Sequence, residues 1–140
     1  MESFRLLNDI KHKEARKVVY GDITNLSYEI LGLNYNERNV EKLKIISTTM
    51  ARTDLNEIAT LIRHNIVERT IFLEEYWWII LRVWHEVETK INERRQSNAG
   101  PPDYMKNFEE LKIKAEKYAK KHQSEGLRRF QKWKEQNKQS

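Results

Sequence analysis

The sequence IFLEEYWWIILRVW, residues 71–84, holds three of the four tryptophans and only three charged side chains. It is too short and too charged to cross a bilayer, which takes about 20 mostly apolar residues. A helix that is apolar on nearly every side is normally surrounded by other helices. The stretch therefore predicts the central helix of an all-α protein, a bundle of four to five helices. Adjacent helical residues point about 100° apart, so Trp77 and Trp78 should contact different neighbours.

The composition fits a single helical domain. A chain of 140 residues normally forms one domain, and only four glycines and two prolines argue against an all-β fold with many tight turns. The absence of cysteine excludes disulfides and thiolate metal sites. The N-terminal sequence MESFRLLNDIKHKEARK has no apolar signal region, and no membrane span follows it. We therefore expect a cytoplasmic protein.

Glycines divide the first part of the chain into two helices. The first helix is expected over Glu2–Tyr20, and Gly21 follows it at the position where a left-handed backbone is needed. Asp22 is expected to cap the second, short helix, because an aspartate oxygen accepts from free backbone amides. Gly32 should end this second helix in the same way as Gly21 ends the first.

The middle of the chain shows helical spacing over a long stretch. Asn36 is expected to cap a helix that starts at Glu37. Its apolar residues continue past Thr53–Asp54, where a cap could split it, and we favour one long helix that ends at Asn65. The aromatic helix follows and should extend over Ile71–Arg95, because its apolar residues recur at a spacing of four.

The clearest break in the chain is Ser97–Pro102, which contains glycine and both prolines. Asp103 is expected to cap the last helix. If that helix continues past Gly126, it is about 45 Å long, which exceeds the body of a domain of this size. Its end must then project, fold back at Gly126 or dock on something else. The chain is therefore divided into a helical core domain, residues 1–102, and a basic C-terminal helix, residues 103–140, that packs on the core and extends from it.

Known catalytic motifs are absent from the sequence. The glycines are scattered, so no phosphate-binding loop is present, and no histidine has a glutamate three residues before it, as di-iron bundles require. The alternative is a site formed by His64, His85 and a nearby carboxylate such as Glu57, Glu75 or Glu88. We predict a protein without enzymatic activity, with no cofactor and no catalytic or metal-binding residues.

Charge separates the end of the chain from the rest. Residues 1–102 contain 15 Lys and Arg and 15 Asp and Glu, whereas residues 103–140 contain 11 and 6. The whole net charge of +5 therefore lies in the last segment. The aromatic and basic side chains of the last helix form the predicted partner-binding surface, which consists of Tyr118, Lys121, Arg128, Arg129, Phe130 and Trp133.

This surface leads to two functional predictions. The first is a non-enzymatic interaction protein that uses the exposed aromatic and basic face of the last helix to self-associate or to bind a protein partner. The alternative is sequence-independent binding of nucleic acid by the same segment, because Lys and Arg neutralise phosphates whatever the base sequence. Glutamates interspersed among the cations are equally typical of a solvated helix.

Several blocks of the sequence together form one pattern along the chain: Asp54–Ala59, Ile62–Val67, Trp84, Glu93–Arg95 and Pro102–Glu109. This pattern resembles an uncharacterised prokaryotic domain-of-unknown-function family of small helical proteins, over roughly residues 40–122. The resemblance implies a helical fold and structural roles for these residues, and it implies no activity, cofactor or catalytic residue. Many members of that family look membrane-anchored through an N-terminal hydrophobic helix, for which this sequence has no counterpart.

Overall fold

The structure is a computed structural model that describes residues 9–33, 39–98 and 100–137. These ranges contain helices and no strand, which confirms the prediction of an all-α bundle. The helices are α1 Ile10–Val19, α2 Asn25–Ile30, α3 Val40–Arg63, α4 Arg69–Gln96, α5 Lys106–His122 and α6 Ser124–Gln136.

The aromatic helix α4 is the central element, as predicted. It packs against α1, α3 and α5, and its side chains also contact α6. Its buried residues cover slightly more than half of the helix circumference: Phe72, Leu73, Trp77, Ile79, Ile80, Leu81, Val83, Trp84, Val87 and Ile91. Full burial of one large apolar side chain contributes about 1.5–3 kcal/mol, so the contacts of α4 dominate the stability of the bundle.

The apolar interior consists of two clusters. The main cluster joins α3, α4 and α5 and includes Phe130 of α6. Residues that follow the predicted boundary at 102 fill this same cluster, namely Phe108, Leu111, Ala115 and Ala119. The smaller cluster contains Ala15, Val18, Leu31, Leu33 and Leu43 and holds α1 and α2 against the first turns of α3. The N-terminal helices are therefore attached to the bundle mainly through α3.

Glycines end the two N-terminal helices, as predicted. Gly21 and Gly32 have φ values of 89° and 80°, which are readily adopted only without a side chain. The predicted cap at Asp22 is wrong, because Thr24 is the N-cap of α2 and its amide donates to Ser27 Oγ at 3.0 Å. The first helix begins at Ile10 in the structure, and the earlier part of its predicted range lies outside the described residues.

Asn39 starts α3. Its Oδ1 accepts from the amide of Glu41 at 2.8 Å and from that of Lys42 at 3.3 Å, so its side chain satisfies donors that have no partner inside the helix. The predicted cap at Asn36 and start at Glu37 lie outside the described residues. From this start α3 continues without interruption to Arg63, which confirms the prediction of one long helix.

Asn65 follows α3 with a φ of 60°, which confirms the predicted left-handed position. We expect Asn65→Ala to lower the free energy of unfolding by about 1 kcal/mol, because a left-handed conformation costs alanine about 1–2 kcal/mol and costs asparagine less. Asn65→Gly should keep wild-type stability or exceed it. Urea unfolding measures both variants, and equal losses for alanine and glycine would contradict the backbone explanation.

The loop after α4 ends at Met105, which is the N-cap of α5 and has a φ of 61°. The predicted side-chain cap at Asp103 is wrong, because only the main-chain carbonyl of Asp103 accepts from the amide of Lys106, at 3.0 Å. The Met105 side chain packs against the main cluster. This burial compensates for the unfavourable backbone conformation.

Candidate partner-binding groove

The C-terminal segment forms two helices, where the sequence predicted one long and partly projecting helix. The backbone leaves the helical conformation at Gln123, with φ −138° and ψ 46°, and α6 begins at the next residue. Phe130 of α6 is only 5% exposed and belongs to the main cluster. The reason for the difference is therefore tertiary: folding back buries an aromatic side chain that a straight helix would leave in water.

Two tryptophans of α4 receive α6. Gly126 lies directly against Trp77, since a Cβ at this glycine would be 3.0 Å from Cζ2 of the indole. The ring of Phe130 lies 5.4 Å from that of Trp78 in an edge-to-face arrangement, which is a favoured geometry for aromatic pairs. The two tryptophans thus contact different residues of the same helix, α6.

The end of α6 has two further contacts with α4. The guanidinium of Arg82 lies 3.8 Å from the ring centroid of Trp133, a cation–π contact, and burial lowers the pKa of Arg82. His85 Nε2 lies 2.9 Å from the main-chain oxygen of Asn137. These contacts hold the end of α6 on the central helix.

A groove of about 680 Å³ lies between α5 and α6. Its apolar lining includes Ile113, which is 44% exposed, and Leu127, which is half-buried. Its cationic lining consists of Lys112, Lys117, Lys120 and Arg128. This volume is within the range of binding clefts, about 300–1,000 Å³.

The charge in the groove is predominantly positive. Glu116 is the acidic residue among its lining residues, and it forms an ion pair with Lys112. The other three cations, Lys117, Lys120 and Arg128, are exposed. The groove therefore combines an apolar floor with an excess of positive charge.

The three basic residues of the predicted surface are exposed, and they point in different directions. Arg128 lines the groove, whereas Lys121 and Arg129 do not. Arg129 instead pairs with Glu125 one turn earlier on α6, at 3.3 Å. Among the three predicted cations, Arg128 therefore lies in the groove, together with Lys112, Lys117 and Lys120 of α5.

The three aromatic residues of the predicted surface are less accessible than expected. Tyr118 is half-buried, and its ring lies 4.9 Å from that of His122. The prediction that Phe130 and Trp133 are exposed on the last helix is wrong, because Phe130 is buried against Trp78 and Trp133 is half-buried beneath a guanidinium. Exposed Ile113 and half-buried Leu127 provide the apolar lining of the groove instead, and their spacing alone did not distinguish them from core residues.

A partly buried hydrogen bond between His12 and Asp54 joins α1 to α3. His12 Nδ1 bonds to Asp54 Oδ2, and Asp54 is 4% exposed. Burial raises the pKa of Asp54, while the hydrogen bond and the charge of His12 act in the opposite direction. The sequence suggested Asp54 only as a helix cap, since its partner is 42 positions away. Beside this pair, Glu14 is buried and accepts from Ser27 Oγ at 2.6 Å.

The histidines contact different parts of the bundle. His64 is exposed at the end of α3, whereas His85 lies well inside α4 and contacts Trp133 on α6. Throughout the described ranges, no group of three or more His, Cys, Asp or Glu side chains is placed to hold a metal ion. The alternative site built from His64 and His85 is therefore not assembled in this structure.

Residues in the family-like blocks connect α3 to the start of α5. Asn56 Oδ1 accepts from the amide of Phe108 at 3.2 Å. Asn107 accepts from Arg63 at 3.1 Å and donates to the Thr60 hydroxyl at 2.9 Å. Phe108 itself is fully buried, and its ring lies 5.4 Å from that of Trp84. These contacts close the bundle, in agreement with the structural roles that the resemblance implies.

The end of α4 is joined to the same region. Arg95 donates through Nε to the main-chain oxygen of Tyr104 at 2.8 Å and pairs with Glu109 at 3.2 Å. Arg94 donates to the Tyr104 hydroxyl at 3.2 Å. The arginine pair therefore fixes the loop that leads from α4 into α5.

Comparison with known proteins identifies a family and no function. No curated protein and no solved structure matches the chain. A family model matches the chain from a point nearer the N-terminus than residue 40, where the resemblance described above begins. The match ends within α5, so it does not include α6. None of the helices in the described ranges is long and apolar enough to span a membrane. The chain belongs to the family of the domain of unknown function DUF4760, whose model matches residues 4–115.

Proposed function

We propose that the protein is a cytoplasmic, non-enzymatic interaction protein that binds an acidic, amphipathic helix of a protein partner in the groove between α5 and α6. One observation supports this most directly: the groove has an exposed isoleucine and a half-buried leucine between exposed cations. An amphipathic helix that lies in such a groove buries its apolar face, and its flanking charges set the orientation. Because the groove is basic, the complementary partner is acidic.

Two apolar residues of the lining define what the partner must supply. Ile113 and Leu127 come from different helices and face the same groove. A partner helix with apolar residues at positions i, i+4 and i+7 presents a single stripe to both. Glutamates beside that stripe would then meet Lys117, Lys120 and Arg128 at the edges of the groove.

Nucleic acid is the second candidate, favoured by the exposed cations Lys117, Lys120, Lys121, Arg128 and Arg129. Phosphate contacts of this kind are independent of base sequence and weaken steeply with salt. Stacking of bases requires accessible aromatic rings, and the two rings of α6 are directed toward α4. This orientation favours the protein partner over nucleic acid.

Charge reversal inside the groove tests the proposal. We expect Lys120→Glu with Arg128→Glu to weaken binding of a labelled peptide by about tenfold or more, since like charges replace complementary ones at the edge of the groove. The probe is a helical peptide with leucines at i, i+4 and i+7 and flanking glutamates, and fluorescence anisotropy measures its binding to the full chain.

The matched control is Lys121→Glu with Arg129→Glu, which makes the same change in net charge one position further along each helix and outside the groove. It should leave peptide binding within about twofold of wild type, as expected for exposed charges away from the contact. Equal losses in both pairs would overturn the groove as the binding site. Loss of salt-sensitive nucleic-acid binding in both pairs would instead support the second candidate.

A further inference from the structure

A separate cavity lies between α3 and the end of α4. Its volume is about 370 Å³, and it is closed on one side by Tyr104 from the loop before α5. Arg52 contributes from α3, and Lys90 and Arg94 contribute from α4. None of these residues lines the groove between α5 and α6. Any function of this cavity is therefore independent of the proposed partner binding.

The cavity carries a net positive charge. Three of its lining residues, Arg52, Lys90 and Arg94, are cations, and Glu93 is the acidic residue among them. These charges sum to +2. Without a counter-ion, cations held around one cavity repel each other. An anion with a charge near −2 would therefore fit this cavity electrostatically.

Arg94 is held in position by its surroundings. Its guanidinium lies 4.9 Å from the ring centroid of Tyr104 and donates to the hydroxyl of that residue. Its side-chain stem packs against Gly100, where a Cβ would be 2.6 Å from Cγ of Arg94. A side chain at residue 100 would displace this arginine. The guanidinium is thus preorganised, which lowers the entropy lost when it binds a ligand.

Hydrogen-bond donors of the lining remain for a ligand. The Tyr104 hydroxyl accepts from Arg94 and so keeps its own hydrogen for donation. The ammonium of Lys90, which is exposed, is a second donor. An oxyanion supplies acceptors for both groups.

We propose that this cavity binds a phosphate group, either free phosphate or the phosphate of a small monoester. Phosphate carries a charge of about −1.5 to −2 at neutral pH and presents several acceptor oxygens, which matches the +2 charge and the donors of the cavity. Arginine is well suited to this ligand because its planar fork binds two oxygens at once. A neighbouring cavity of about 480 Å³ shares Arg94 and Tyr104 and adds Arg63 and Lys106, so it offers room for an organic substituent.

The experiment is a titration of the full chain with inorganic phosphate at constant ionic strength, followed by thermal unfolding and by calorimetry. Wild type should show a saturable rise in Tm with phosphate and none with an equal ionic strength of sodium chloride. Arg52→Gln and Lys90→Gln should each weaken phosphate binding by about tenfold or more, since each removes one charge-assisted contact. Lys90 is exposed, so its variant keeps the test valid if the substitution of Arg52 impairs folding.

The control is Lys132→Gln, an exposed cation on α6 that lines neither cavity; it should bind phosphate as wild type does. Glycerol phosphate that binds more tightly than inorganic phosphate would identify a monoester as the ligand. The opposite order would identify free phosphate. Absence of a phosphate effect on wild type, or equal binding by Lys90→Gln and Lys132→Gln, would overturn the proposal.

Discussion

Replacing His12 with alanine is expected to lower the free energy of unfolding by about 3 kcal/mol at pH 7. The imidazole is the hydrogen-bond partner of Asp54, whose side chain is 6% exposed in the contact between α1 and α3. Removing the partner of a buried carboxylate costs about 3–5 kcal/mol, because the carboxylate loses its compensating hydrogen bond. His12 is partly exposed, which places the expected loss at the lower end. Urea unfolding followed by circular dichroism measures it.

The effect of this substitution should depend on pH in a defined direction. Burial raises the pKa of Asp54 above its ordinary value of 3.8, Arg16 and His12 lower it, and Glu57 raises it. A raised carboxyl pKa contributes stability below the unfolded pKa, and that contribution is lost as pH rises through the folded pKa. Removal of His12 takes away two influences that lower the pKa, so it rises further. The deficit of the variant relative to wild type should therefore shrink as pH falls from 7 through this raised pKa.

Two further variants separate the buried charge from simple loss of packing. His12→Ala combined with Asp54→Leu should regain most of the lost stability, because apolar groups of similar volume often replace a buried ion pair without loss. Arg129→Ala breaks an ion pair whose side chains are 76% and 74% exposed, and it should cost less than about 1 kcal/mol. If the double variant is no more stable than His12→Ala, and the deficit is the same at every pH, the ion pair is not the cause.

Local chemistry made much of the fold predictable. The central helix followed from residues 71–84, because so apolar a stretch is visible in composition alone. Gly21, Gly32 and Asn65 were recognised because a positive φ restricts the choice of residue at one position. The cap at Asp22 was wrong because Thr24, two residues later, is the N-cap of the same helix. The cap at Asp103 was wrong because α5 begins after the left-handed Met105, and the free amide of Phe108 bonds to the distant Asn56.

The features that position the candidate groove depend on contacts between distant residues. Gly126 indicated a weak point in the last helix, yet the break occurs at Gln123, and the glycine is needed for the approach of Trp77. The folding back of α6 depends on Phe130 meeting Trp78, a contact across 52 positions that helical periodicity does not contain. For this reason the sequence identified the basic segment but predicted that its aromatic residues are exposed, whereas Phe130 is buried and Trp133 is half-buried.

Replacing Phe130 with alanine should detach α6 from the central helix. The ring is 5% exposed and contacts Trp78 and Trp133, and loss of a buried phenylalanine costs about 3–5 kcal/mol. The remaining attachment rests on Gly126, Trp133 and the end of the helix, so the cost should appear as local opening of α6 while the main cluster persists. Hydrogen exchange should show lost protection over residues 124–136 and retained protection in α3 and α4. Tryptophan emission should shift to longer wavelength as Trp78 meets water.

The same variant connects the fold to the proposed function, because the groove exists only while α6 lies beside α5. Phe130→Ala should therefore abolish binding of the acidic peptide even though it alters none of the side chains that line the groove. The matched control is Lys132→Ala, an exposed neighbour on the same helix, which should preserve both protection and binding. Phosphate binding near Arg52 should survive in both variants, since that cavity does not involve α6. Unchanged protection of α6 in Phe130→Ala would mean that the aromatic contact does not hold the helix, and intact peptide binding would place the partner elsewhere.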